Sequence, residues 1–187
     1  MTLYTLSLFV HVLGAVGIFA AFALEWTLLA QLRRATTAQD VQPWTRIPTI
    51  VRRLAPISML LILIPGIYMA VTTWRGSPWP WVGLVAMLLL PILGAPSGRR
   101  LGEALREAGQ ARGDLPAGLR AKFDAPVLRA SIRLRMALLV GIVYLMTTKP
   151  GRGHAVTAIG AAFAAGAVWA LPRRPPTPAR RAAPTEG

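Results

Sequence analysis

The 187-residue chain contains no cysteine. That absence excludes disulfides, thiolate nucleophiles, Cys-ligated zinc and iron–sulfur clusters. Acidic residues are scarce as well: seven Asp and Glu stand against 21 Lys and Arg, and only 15% of residues are charged. No two carboxylates share an apolar segment, and HExxH, P-loop and GxSxG patterns are missing, so no enzymatic constellation is expected. What the chain has in abundance is apolar surface, 54% of residues with a mean hydropathy of +0.49. A net charge of +14 would suggest nucleic acid in a soluble protein. Here the basic residues fall between long uncharged runs, several near or above the ~18–20 residues that cross a bilayer, and no nucleic-acid partner is expected.

Five such runs are present, at 3–29, 54–73, 80–96, 129–148 and 154–171. None alternates with period 2 and each is apolar around its circumference. The expected fold class is therefore an all-α, polytopic membrane bundle of five transmembrane helices, not a barrel. These runs make residues 1–171 one domain. Ala21-Phe22-Ala23 resembles a signal-peptidase site, but no Lys or Arg precedes the first run and its length exceeds an ordinary signal core. The first run is expected to remain as a span.

Sorting the basic residues by segment gives an orientation. Eighteen of the 21 lie in 30–53, in 97–135 or beyond 172, and only Arg75, Lys149 and Arg152 lie on the other side. This bias predicts an N-out, C-in topology, with the arginines contacting anionic headgroups. Tyr4, Trp74, Trp79 and Trp81 would then anchor the outer interface, and Trp26 and Trp169 the inner one. The 97–128 segment reads as a cytoplasmic extension of the third helix that stops near Gly109–Gly113 and restarts after Pro116. The end, 172–187, is basic and Pro-rich with no apolar period, and is expected to be disordered.

The fourth run is uncharged only from Met136 to Thr148, too short to cross ~30 Å at 1.5 Å per residue. Its helix must begin earlier, which draws Arg133 and Arg135 toward the inner boundary. Glu25 sits at matching depth in the first span. Either Glu25 pairs with one of these arginines, or each side chain snorkels to the headgroups on its own.

Candidate ligands cluster in the outer half. The two histidines are His11, about two turns inside the first span, and His154, at the start of the fifth. Met69 with Tyr68, and Met146 with Tyr144, lie near the outer ends of spans two and four. Imidazole with thioether suits Cu(I), and imidazole alone suits haem iron or Cu(II). Against this, methionine is ordinary packing filler and His154 has interfacial water to face. His11 carries more weight, because ionisable groups at that depth are costly and often functional; the competing role is an interhelical hydrogen bond. Small residues Gly14 and Ala15 beside it leave room for a ligand or a second helix. His11 and His154 differ in depth by ~10 Å, which argues against a bis-His site.

Pro65-Gly66 and Pro91 fall inside spans two and three, as hinges or as tolerated kinks. Gly160 with Ala164, and Ala162 with Gly166, give small-residue faces for packing within the bundle or against a second copy.

Two stretches carry a resemblance. His11-Val12-Leu13-Gly14-Ala15-Val16-Gly17 and Tyr144-Leu145-Met146-Thr147-Thr148-Lys149-Pro150-Gly151 resemble a family of small bacterial integral membrane proteins of unknown function. That group is similar to the membrane part of copper-resistance D proteins and, more distantly, to the HemJ-type protoporphyrinogen oxidase. The resemblance covers most of the first four spans. It implies a bundle of four to five spans in the bacterial inner membrane, with His11 at the position of a first-span haem ligand. The second intramembrane His and the span-three Lys of such an oxidase site are not found here. Three functions follow as expectations: a protein holding copper or haem b near its outer face through His11, helped by Met69, Met146 or His154; a scaffold or accessory subunit that packs against a partner membrane protein or a second copy; and a small permease.

Overall fold

The computed structural model describes residues 2–171. The Pro-rich end at 172–187 lies outside the described residues. The elements run α1 (Leu3–Leu32), α2 (Ala38–Val41), a 3-10 turn (Gln42–Trp44), α3 (Ile47–Thr72), α4 (Trp79–Gln110), α5 (Ala117–Asp124), α6 (Pro126–Thr148) and α7 (Arg152–Ala170). Among the described residues there is no strand beyond an isolated bridge between Thr37 and Asp114. Five helices, α1, α3, α4, α6 and α7, are long and apolar enough to cross a membrane.

Local chemistry sets the boundaries. Thr2 caps α1 by accepting from the Thr5 amide, and α3, α4 and α6 each begin with a proline in the first two positions. There the missing N–H has no helical partner to lose. Two helices start earlier than their apolar runs: α3 at Ile47, ahead of Arg52 and Arg53, and α6 at Pro126. Charge ends an apolar run without ending a helix. α4 runs unbroken to Gln110, and α5 restarts after Pro116. α6 stops at Lys149, which takes a left-handed conformation (φ 49°, ψ 53°) and turns the chain into α7.

The helices pack mainly as α1 on α3, and α6 between α4 and α7. Gly14 lets the α1 backbone lie directly on α3, since a Cβ there would stand 2.8 Å from the Ser58 carbonyl. The space beside His11 at Gly14 is thus taken by a helix. Ala162 and Gly166 face α6 in the same manner, against Gly141 and Ala137, whereas Gly160 and Ala164 are exposed. α1 touches α6, and α3 touches α4, over short stretches only.

The two ends of the bundle differ. At the arginine end, Leu28, Leu32, Leu105, Leu119 and Phe123 are buried in one core. Connections are tied across that end: Ala38 N–H donates to Gly113 O and Leu115 N–H to Thr36 O, both at 2.9 Å, and Arg33 Nε reaches Asp124 Oδ1 at 2.9 Å. Asp40 closes a capping box with Thr37 at the start of α2. At the opposite end α1, α3, α4 and α6 surround a cavity that Tyr4, Trp74, Trp79 and Trp81 help to line.

Candidate functional site

The tryptophan-end cavity has a volume of about 400 Å³, within the range of organic-ligand sites. α1, α3, α4 and α6 each supply a wall, and nearly all of it is apolar. Its one imidazole is His11, eight residues into α1 and so about 12 Å from the helix start.

The placing of that imidazole follows from α3. Pro65 has no N–H for the Leu61 carbonyl and its ring crowds that oxygen, which loosens the turn. The next carbonyl, Ile62 O, lies 2.8 Å from His11 Nδ1. A carbonyl only accepts, so Nδ1 carries the proton and donates. Gly66 completes the seat: a Cβ there would stand 3.1 Å from His11 Cε1. The Pro-Gly pair that reads as a hinge or kink in the sequence holds the imidazole, and α3 runs unbroken through it.

With Nδ1 spent, Nε2 of the neutral ring is an unshared lone pair. It has no hydrogen-bond partner among the described residues, yet it is not enclosed, since no buried side-chain nitrogen or oxygen there goes unpartnered. Nε2 is therefore at least partly accessible, on a residue that lines the cavity. A histidine whose other nitrogen donates to a backbone carbonyl is the usual arrangement of a metal- or haem-ligating imidazole.

Met69 and Met146 line the same cavity as His11; Tyr68 and Tyr144 do not. Met87 of α4 is a third thioether on the wall, eight residues into its helix as His11 is in α1. Counting depth on α4 would have found it. His154 takes no part: it is exposed on the first turn of α7 and does not line the cavity. Trp74, Trp79 and Trp81, expected as interface anchors, wall the mouth, with Trp74 and Trp79 edge to face at 5.5 Å. Lys149 Nζ sits 4.3 Å from the Trp74 ring centroid and places a cation at the mouth. Among the described residues no three His, Asp or Glu side chains gather into a metal-binding group.

Ile18 and Leu139 are the lining residues nearest the arginine end, and beyond them lies an ion pair that does not line the cavity. Arg135 of α6, only 7% exposed, donates from Nη1 and Nη2 to the two carboxylate oxygens of Glu25 of α1 at 3.1 and 2.5 Å. Its guanidinium also lies 5.1 Å from the Phe22 ring centroid and against Gly94, where a Cβ would come within 2.9 Å. Ser97 and Ser131 meet at 2.9 Å one turn away and bind α4 to α6. Arg133, the other arginine at Glu25's depth, turns outward: its Nη1 donates to Trp169 O at 2.9 Å and its guanidinium stacks on that indole. The two arginines are two residues apart on a helix, so they cannot share a face.

No protein-family model, no curated protein and no solved structure matches the chain. The resemblance to the copper-resistance D group thus rests on the residues quoted for it.

Proposed function

We propose that this multi-pass membrane protein holds a flat, largely apolar organic cofactor, haem b being the best fit, in the tryptophan-end cavity with His11 Nε2 as its ligand. The observation that carries this reading is the pairing of Nδ1–H with Ile62 O, which leaves Nε2 without a partner on a residue that lines apolar space. A bare ion would leave most of 400 Å³ empty, given the ~30 Å³ share of a water molecule. Trp74, Trp79 and Phe19 would offer ring surfaces, Met69 or Met146 a thioether donor, and Lys149 a cation for acidic substituents. A haem iron supplies one-electron chemistry; the chain supplies the ligand, the apolar wall and the counter-charge. The charge bias and the resemblance together favour a bacterial inner-membrane setting with the cavity facing outward. One observation favours a second reading, Cu(I): three thioethers and an imidazole from four helices form a soft donor set.

The test is an absorption spectrum and metal analysis of the protein purified in mild detergent. A Soret band in the wild type and in His154→Ala, lost in His11→Ala, is the expected result. Stoichiometric copper without a Soret band would select the second reading. Colourless, metal-free protein that co-purifies with another membrane protein would overturn both in favour of a scaffold.

A further inference from the structure

At the arginine end a second, smaller cavity lies between α1 and α6, independent of the His11 site. Its volume is about 80 Å³, room for a group of a few heavy atoms. Arg33, Arg129 and Arg133 ring it, Leu29 and Ile132 form an apolar floor, and Trp26 stands on its membrane side. Trp26 stacks on Trp169 at 5.8 Å between centroids, so an indole pair flanks the groove.

Few of the arginine donors are spent. Arg33 gives Nε to Asp124, Arg129 gives Nη2 to the Asp124 carbonyl at a long 3.4 Å, and Arg133 gives Nη1 to Trp169 O. Each guanidinium carries five N–H groups, so most still point to solvent or into the groove. Asp124 is the one carboxylate among these partners, leaving the site doubly positive. The depths match a lipid. From Arg33 to Trp26 is seven residues, about 10 Å along α1, enough to cross the roughly 5–8 Å headgroup layer on one side of a bilayer and reach the hydrocarbon edge. Guanidinium groups at phosphate level, indoles at ester level and apolar wall beneath describe one molecule's profile.

We propose that this groove binds the phosphate of an anionic phospholipid, with Arg129 and Arg133 as forked donors and the acyl chains running down past Trp26. The test is native mass spectrometry of the full chain released from nanodiscs of phosphatidylcholine with and without phosphatidylglycerol. The wild type retains phosphatidylglycerol, and Arg129→Gln/Arg133→Gln lowers the retained fraction about tenfold or more. Arg99→Gln/Arg100→Gln, which removes equal charge from exposed positions on α4, leaves it unchanged. Arg129→Lys/Arg133→Lys keeps the charge without the fork and falls between; it carries the test if the Gln pair does not fold. Equal loss from both Gln pairs, or full retention by the Lys pair, would reduce the site to unspecific surface charge and overturn the proposal. Displacement of the lipid by millimolar inorganic phosphate would assign the site to the free anion instead.

Discussion

The arginine end and the tryptophan end share α1, α3, α4 and α6, with α2 and α5 added at the arginine end, but are solved in opposite ways. At the arginine end, helices converge on a filled core, and the charge that burial would make costly is matched, Glu25 to Arg135. At the tryptophan end the same helices line an apolar cavity, and among the described residues His11 Nε2 has no hydrogen-bond partner and Lys149 no carboxylate within salt-bridge distance. A well-satisfied region serves stability, and an unsatisfied one is held ready for something else.

That contrast can be broken at its strongest point. Glu25→Ala leaves a buried guanidinium uncompensated and should destabilise the protein by about 3–5 kcal/mol, read as a lowered Tm in detergent. Glu25→Leu/Arg135→Met should recover most of that loss, since the penalty lies in the orphaned charge. Next in size is a matched pair of enlargements. Ala104→Leu, at a position 1% exposed in the closed core, should cost about 1–3 kcal/mol. Ala15→Leu, on the cavity wall, should leave the Tm unchanged or raised while abolishing ligand binding. Equal destabilisation by both would mean the cavity is as tightly packed as the core.

A finer cut separates seat from scaffold. Gly66→Ala crowds the imidazole and should weaken ligand binding about tenfold, with a stability change under about 1 kcal/mol. An unaltered spectrum would show that His11 tolerates displacement. The smallest effect concerns pH at the closed end. The Asp40 carboxyl, in the connection between α1 and α3, accepts from the Thr36 and Thr37 amides and the Thr36 hydroxyl, and these hold it down at about 2. A depressed carboxylate contributes stability above its ordinary range that is lost as pH falls through the folded value. Asp40→Asn should therefore flatten a slight acid sensitivity between about pH 4 and pH 2. A profile identical to the wild type would mean that the exposed box contributes nothing.

How much of this was readable from the residues depends on range. The five spans were, because each is a long apolar run whose signal is local. The matching depth of Glu25 with Arg133 and Arg135 was readable too, but not which arginine it meets or whether it meets one, because that depends on the azimuth of α6. The start of α3 at Ile47 was not, because Arg52 and Arg53 end the hydropathy without ending the helix. Gly66 as the seat of His11 needed the register of α1 on α3, which no single run encodes. That Trp74, Trp79 and Trp81 also line a cavity was hidden for a related reason: depth along a helix is readable from the sequence and azimuth is not.

The edges of the cavity have one more consequence. Val12 on α1 and Val143 on α6 line it and remain 52% and 41% exposed, as is Trp81 on α4 at 49%. In a bilayer, exposure at this depth is to hydrocarbon, so part of the cavity's lining is in contact with lipid. For an apolar cofactor of the kind proposed above, occupancy would then track how much has dissolved in the lipid, not its aqueous concentration. Two ligands of equal intrinsic affinity would be ranked by their partition coefficients, and a preparation stripped of lipid would lose its reservoir before it lost its site.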